Sequence, residues 1–275
     1  MIQNALSIDV EDYFQVSAFG EKIPQSEWST RECRIERNIR RILELLRVAD
    51  VKATFFTLGW IADRYPELIC EIASEGHEIA SHGYNHNRVS DLTPAEFRED
   101  IVRTKGTLEN LTGHIVTGYR APSFSISEKN LWAFDIIQDA GYKYSSSIYP
   151  INHDHYGMPS APRFAHKVAE QLLEVPISTT VLFRRNFPAS GGGYFRLLPY
   201  YLSKFAFSRV NAQDKQALVF YFHPWEIDVG QPIIGGIGVR SHFRHYVNLA
   251  GMERKLVRLF SDFRWGRMDK IFLYS

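Results

Sequence analysis

The sequence predicts an α/β fold, parallel strands inside and helices outside, sustained over the whole 275-residue chain. Three observations carry this reading. Short strand-like runs alternate with stretches of helical periodicity from one end of the chain to the other. The segment Ala53-Thr54-Phe55-Phe56-Thr57-Leu58 is a continuous β-type run, the kind buried on both faces in parallel sheets. Polar residues gather where strands end: Asp9, Glu11 and Asp12, then His82 and His86, then Arg120, then His223. In parallel barrels the loops after the C-terminal ends of strands carry the chemistry.

Taken in order, Ala5 to Val10 is a short strand that stops abruptly in acids. Ile35, Ile39, Ile42, Leu43, Leu45 and Leu46 recur at helical spacing. After the strand at 53–58, a helix is expected from Pro66 to Ser74 with Gly76 as its stop, then a strand from His77 to Ser81. Thr93-Pro94-Ala95-Glu96 is a capping box that opens a helix reaching Leu111, closed by Gly113. Ile115–Tyr119 reads as strand, Ser127–Ala140 as helix, Tyr144–Ile148 and Leu172–Ile177 as strands, with irregular chain from Pro150 to Gly193. An aromatic-rich helix is expected over Leu197–Val210, a strand over Ala217–Phe222, a long helix over Ser241–Phe263 and a last strand over Lys270–Tyr274.

Composition is that of an ordinary globular chain, with 45% hydrophobic and 23% charged residues. The 32 basic and 31 acidic side chains leave a net charge of +1, which gives no sign of nucleic-acid or membrane-surface binding driven by overall charge. Two cysteines, Cys33 and Cys70, make no disulfide framework and are expected as small buried apolar residues. The opening MIQNALSIDVEDYF has no basic region and is interrupted by three acids, so it does not read as a signal peptide. No run of 18 apolar residues is present, so no transmembrane segment is expected. The expected compartment is the cytoplasm, with attachment at the periphery of the inner membrane as the alternative.

His82 and His86 are two imidazoles four residues apart, and imidazole is the commonest protein ligand for zinc. In a chain with ten histidines such a pair also arises by chance, so a metal reading needs a third ligand. Each other residue also has a plain structural reading. The acids at 9, 11 and 12 could be a strand end or a helix cap, Arg120 a turn residue, and His223 a core histidine. Gly191-Gly192-Gly193 lacks the Gly-Lys-Ser/Thr of a phosphate loop and reads as a flexible turn or a substrate-side loop. His77, His153, His155, His166, His242 and His245 read as structural or surface residues.

Together and in order, Ser7-Ile8-Asp9-Val10-Glu11-Asp12, His82-x-x-x-His86, Arg120-Ala121-Pro122 and Phe220-Tyr221-Phe222-His223 resemble the motifs of the NodB-homology polysaccharide deacetylases, carbohydrate esterase family 4. The match covers roughly residues 1 to 225. Asp-Val-Glu-Asp-Tyr-Phe, Gly191-Gly192-Gly193-Tyr194-Phe195-Arg196 and His223-Pro224-Trp225-Glu226 resemble the subgroup that accompanies exosortase (PEP-CTERM) exopolysaccharide loci. The resemblance implies a distorted (β/α) barrel of about seven parallel strands and hydrolysis of N- or O-acetyl groups on a sugar. It also implies a divalent metal, zinc first, with cobalt, nickel or manganese able to occupy the same donors. One domain over 1–275 is expected, with a subgroup-specific part from about 226.

The resemblance also assigns roles. His82 and His86 would hold the metal, Asp9 would be the general base with Arg120 as its partner, and His223 the general acid. The ion would polarise the acetyl carbonyl and hold the attacking water. Where the family commonly has two adjacent aspartates, Asp9 here is followed by Val10, so the third ligand is Glu11 or Asp12. On an extended strand Glu11 shares a face with Asp9. The family's Asp-x-x-Asp-Trp motif, which orients the catalytic histidine, is absent; Asp135 and Asp139 fall in a helix, and Glu226 or Asp228 are the substitutes at hand.

Tyr84, Pro122, Tyr194 and Trp225 are the expected substrate-side residues, with Tyr13, Phe14, Phe124 and Tyr149 near the same mouth unless they pack in the core. The expected partner is a carbohydrate, an exopolysaccharide or its intermediate, worked on beside membrane polysaccharide-assembly machinery, and not a nucleic acid. Rival readings are an amidohydrolase of a small non-sugar amide, a non-catalytic carbohydrate-binding barrel, and, more weakly, a glycosidase using two carboxylates.

Overall fold

The computed structural model describes residues 2–153 and 157–274; His155 lies outside the described residues. In chain order the elements are β1 (Gln3–Val10), α1 (Ile35–Val48), β2 (Thr54–Thr57), α2 (Gly59–Arg64), α3 (Pro66–Ser74), β3 (Glu78–Ser81), α4 (Pro94–Thr112), β4 (Gly118–Tyr119), α5 (Ala133–Asp139) and β5 (Tyr144–Ser145). There follow β6 (His166–Ala169), β7 (Leu172–Glu174), β8 (Thr179–Leu182), β9 (Arg185–Pro188), α6 (Gly192–Leu197), α7 (Tyr200–Arg209), β10 (Val219–Phe222), α8 (Val239–Tyr246), α9 (Leu249–Asp262), β11 (Arg264–Gly266) and α10 (Met268–Phe272).

The strands form a mostly parallel, curled sheet in the order β10-β1-β2-β3-β4-β5-β7-β6, with β11 also on β1. The seven strands from β10 to β7 pair in parallel, and β6 is antiparallel on β7. The parallel strands are those expected from the alternation, and their curl makes the distorted α/β barrel that the resemblance implies. The hairpin β8–β9 stands apart as its own two-stranded sheet.

Strand periodicity decides which side chains face the interior. On β1, Leu6, Ile8 and Val10 pack outward with Ile35, Ile39, Ile42 and Leu43 of α1. Ala5 packs inward with Phe56, Ala80, Val219 and Tyr221. Ser7 and Asp9 share the inward parity and are buried. Met268 of α10 joins this inner cluster, and its backbone N–H donates to Thr54 Oγ1 at 2.8 Å.

Several elements differ from expectation, each for a local reason. The last segment is a helix, not a strand: the N–H groups opening α10 are taken by Thr54 and by Glu78 Oε2 at 3.1 Å, while β11 already lies on β1. The helix expected from Ser127 starts only at Ala133, because the Asn130 side chain accepts from Ser127 N–H and donates to Ser125 O, closing a turn. The helix expected over 197–210 begins only after Pro199, as α7, and a short unexpected helix, α6, precedes it over Gly192–Leu197. Asn248, with φ at 49°, divides the one expected over 241–263 into α8 and α9. Cys70 is exposed rather than buried, and Cys33 is half-buried.

Glu174, at the end of β7, is fully buried and accepts from the N–H groups of Ser147 and Ile148 at 2.9 and 2.8 Å. Burial pushes its carboxyl up to about 7, against the opposing pull of those hydrogen bonds and of Arg120. A carboxyl raised on folding favours the folded state below its unfolded value and loses that contribution as pH rises through its folded one. Stability should therefore fall by about 3 kcal/mol between pH 5 and 8 from this group. Glu174→Gln should flatten the dependence seen in urea unfolding; an unchanged slope would show that Glu174 is already ionised at pH 5.

Candidate metal and catalytic site

Two strand ends converge at one mouth of the sheet. Glu11 follows β1, while His82 and His86 follow β3. A ligand atom from each lies within 4.8 Å of the others, and all three side chains are buried. His82 Nδ1 is 2.8 Å from Arg120 O; a carbonyl only accepts, so Nδ1 carries the proton and Nε2 keeps its lone pair for the cluster. Burial brings His82 down to about 4, although Asp9 and Glu11 pull the other way, so its imidazole is neutral at pH 7. Burial raises the Glu11 carboxyl, but His86, His223 and His82 outweigh that and bring it down to about 2.

His86 Nε2 and Glu11 Oε2 are 2.8 Å apart, yet Oε2 accepts no hydrogen bond among the described residues. Two donor atoms held close but out of line for a hydrogen bond are placed as ligands sharing a third point. His86 has φ at 55° and Gly83 φ at 74°, so the loop is held in left-handed backbone, which costs free energy at the histidine. Ser17 reaches the loop from the other side, its Oγ 3.4 Å from His86 Nδ1 and 2.6 Å from Ser123 Oγ.

Asp9 sits beside this cluster with Arg120, which is fully buried. Arg120 donates to Asp9 Oδ1 at 2.5 Å, Ser7 Oγ at 2.9 Å, Ser146 O at 3.2 Å and Ser146 Oγ at 3.0 Å, and lies 4.0 Å over the Phe56 ring. A guanidinium with its donors all placed is a rigid partner, and it leaves Asp9 Oδ2 turned to His223, whose Nε2 is 4.0 Å away. The same Nε2 is 3.3 Å from Glu11 Oε1.

The partner of His223 is Glu226, in the same short turn. Glu226 Oε1 is 2.8 Å from Nδ1 and accepts the His223 backbone N–H at 3.0 Å. Burial disfavours the imidazolium, but the carboxylates of Glu11, Glu226 and Asp9 outweigh it and push His223 up to about 9. Glu226 is itself held by buried Arg196, whose Nε donates to Oε2 at 2.7 Å. The remaining donors of Arg196 go to the carbonyls of His245, Val247 and Arg244 at 2.8, 2.7 and 3.0 Å.

Gly191 and Gly192 are close packing rather than a flexible turn, while Gly193 faces open space. A Cβ at Gly192 would lie 2.1 Å from Glu226 Oε1, and Gly191 has φ at 100° against the Tyr221 ring. The sequence carries no sign of the Arg196 contacts beyond its place three residues past the glycine run.

Asp12 stands apart from the cluster. It caps the short helical turn at Tyr13–Gln15 and accepts from Tyr13 N–H at 2.8 Å, Arg34 N–H at 2.5 Å and Cys33 Sγ at 3.1 Å. Asp228 is likewise engaged elsewhere, with Arg34 and Arg37 at 2.5 and 2.8 Å. Asp135 and Asp139 lie on α5. Pro122 is buried beside Gly83.

The expected aromatic mouth is largely core. Trp225 is buried with both faces taken, stacked on His223 (centroids 5.1 Å) and on His245 (4.0 Å), so neither face is open to a sugar. Tyr13, Phe14, Phe124 and Tyr149 are buried too. Tyr84 is turned to α2 and α4, donating to Asp63 with Arg103 3.5 Å over its ring. Tyr194, on α6, stays half-buried.

Residues 28–145 match the polysaccharide deacetylase family model, and residues 146–273 match a domain of unknown function (DUF3473). A peptidoglycan-N-acetylglucosamine deacetylase of Bacillus cereus is 38% identical over 94 residues, which is 34% of this chain and 34% of that relative. The chain thus spans about a third of that curated relative's length. Among solved structures, one named for a polysaccharide deacetylase from Mycobacterium smegmatis aligns with a TM-score of 0.62 at 20% identity, covering 98% of this chain and 88% of that one. Puue allantoinase aligns with a TM-score of 0.61 at 17% identity over the same shares. These two likenesses show the fold.

His82, His86 and Arg120 fall inside the family match, while Asp9 and Glu11 precede it and His223 follows it. Strands from both matched segments share one sheet, β7 lying on β5, and β10 pairs with β1, which precedes both segments. Residues 28–145 thus carry a polysaccharide deacetylase domain, and the chain is similar to curated deacetylases over that stretch.

Proposed function

We propose that the chain is a metal-dependent hydrolase removing N-acetyl, or O-acetyl, groups from a carbohydrate, an exopolysaccharide or its biosynthetic intermediate. One observation carries the reading: the ligand atoms of Glu11, His82 and His86 lie within 4.8 Å of one another, beside a carboxylate and an imidazole not used in that cluster. Two imidazoles and one carboxylate suit zinc, with cobalt, nickel or manganese as alternatives. When bound, the ion supplies Lewis acidity to the acetyl carbonyl and to water.

The protein's own groups do the rest. Asp9 Oδ2 takes the proton of the attacking water, while Arg120 holds Oδ1 and fixes the carboxylate's orientation. His223 Nε2 delivers a proton to the leaving nitrogen, which cannot depart as an anion. Glu226 on Nδ1 holds the ring and favours its protonated form. Residues 1–275 act as one domain in this reading, since Asp9, His86 and His223 come from three parts of the chain. The exopolysaccharide assignment rests on the likeness of the 191–196 and 223–226 segments to the exosortase-locus subgroup.

Metal content and acetate release test this together. Glu11→Gln should lose metal affinity by roughly 100-fold or more and release no acetate from acetylated amino-sugar oligomers. Asp12→Asn should keep its metal, and should keep its cap as well, since Asn caps a helix about as well as Asp. Equal metal binding by wild type and Glu11→Gln would reject the ligand set. Hydrolysis of cyclic amides but of no acetylated sugar would favour the small-amide reading instead.

A further inference from the structure

The balanced total charge conceals a segregated segment. Residues 175–213, the 39 positions between Glu174 and Asp214, contain no aspartate or glutamate, and five basic residues: Arg184, Arg185, Arg196, Lys204 and Arg209. Arg196 is spent inside the site. The rest of the segment builds an outward face from the β8–β9 hairpin and α7.

That face is apolar where surfaces are usually polar. Phe183 at the hairpin tip is 94% exposed, with Phe187 exposed on the returning strand. α7 turns Ser203 and Phe207 inward and leaves Tyr201 (68%), Leu202 (40%) and Phe205 (53%) outside. The two elements adjoin: Arg209 Nη2 donates to Val181 O of β8 at 3.2 Å and its guanidinium lies 5.7 Å from the Phe205 ring. Contiguous exposed side chains of this size mark interaction surfaces.

The hairpin tip gives a second, independent sign. Phe183 and Arg184 form its two-residue turn with φ at 49° and 61°. Such turns favour Asn-Gly or Gly-Gly, and bulky residues there are strained. A phenylalanine followed by two exposed arginines occupies a position where folding alone favours small residues, and strain of this kind gathers at functional sites.

We propose that this face docks the protein on a bilayer surface containing anionic phospholipid, with Phe183, Tyr201, Leu202 and Phe205 entering the interface and Arg184 and Arg185 meeting the headgroup phosphates. Aromatic and leucine side chains favour the interfacial layer, and basic residues are drawn to an anionic surface. Arg184 and Arg185 are exposed and form no ion pair among the described residues; Lys204 pairs with Asp262 at 3.0 Å, the acid bordering the patch. A second copy on the same face would set cations against cations, which disfavours self-association there. The reading is independent of the proposed hydrolysis, though β9 leads directly into Gly191 and Gly192 at Tyr221 and Glu226.

Sedimentation with vesicles tests it. The wild-type protein should pellet with phosphatidylcholine vesicles that contain phosphatidylglycerol, roughly tenfold less with phosphatidylcholine alone, and less as salt is raised. Phe183→Ser with Phe205→Ser, and separately Arg184→Gln with Arg185→Gln, should each weaken binding by roughly tenfold or more, with unchanged circular dichroism and unchanged hydrolysis of a small acetylated substrate. Failure of the wild type to pellet with either vesicle, or equal pelleting by the variants, overturns the proposal. So does a wild-type dimer abolished by Phe183→Ser, or a protein partner captured by this face in place of lipid.

Discussion

Exchange of Asp9 for Asn is expected to lower acetate release by roughly 10²- to 10⁴-fold, the usual worth of a positioned general base. Asp9 is buried and receives Arg120 on one oxygen, and an Asn carbonyl can still accept that bond, so the arginine keeps a partner. What the amide cannot do is take a proton. Glu11, His82 and His86 are untouched by the change, so bound metal, measured by elemental analysis of the purified protein, should match wild type. A variant that holds its metal and its fold but loses turnover would separate Asp9 from the ligands. Turnover within a few-fold of wild type would remove Asp9 from the chemistry and pass the base role to another group.

The second large effect is expected at Arg196, which touches no candidate metal ligand. Arg196→Ala would leave the fully buried Glu226 carboxylate with His223 as its one remaining charged neighbour on Oε1 and nothing on Oε2 among the described residues, and would free three backbone carbonyls as well. Removing one partner of a buried pair costs about 3–5 kcal/mol, because the remaining charge is left uncompensated. Burial raises Glu226, but Arg196 and then His223 outweigh it and bring its carboxyl down to about 2. A carboxyl lowered on folding stabilises above its unfolded value and loses that contribution as pH falls through its folded one. The deficit of Arg196→Ala in urea unfolding should therefore be full at pH 7 and shrink as the pH falls towards 3. Arg196→Lys, which keeps the charge but not the fork, should fall between the two. A deficit independent of pH would mean that Arg196 acts through packing alone.

Both effects are set by contacts between residues far apart in the chain, and this marks what could be read early. His82-x-x-x-His86 and Arg120-Ala-Pro were legible because each is local and each ends a strand whose period already points inward. The choice between Glu11 and Asp12 was not. One residue of backbone turning sends Asp12 away to cap Tyr13 and receive Arg34, and nothing local encodes the approach of a residue 22 positions on. Trp225 looked like a sugar platform, because an aromatic after a strand end is equally a platform or a packing ring until its neighbours are known. His245, from α8, decides it by covering the second face.

The sequence by itself determined the alternation of strands and helices, the capped start and glycine stop of α4, and the strand ends on which the polar residues stand. These depend on period and on backbone chemistry within a few residues, so neighbours in the chain suffice to read them. The tertiary structure alone decided which acid joins the histidines, what holds His223, why Gly192 must lack a side chain, and that the last segment is a helix under the sheet. Each of these is a question of which buried polar group finds a partner. A buried charge or N–H is satisfied by whatever the fold brings within about 3 Å, and sequence spacing carries no record of that distance.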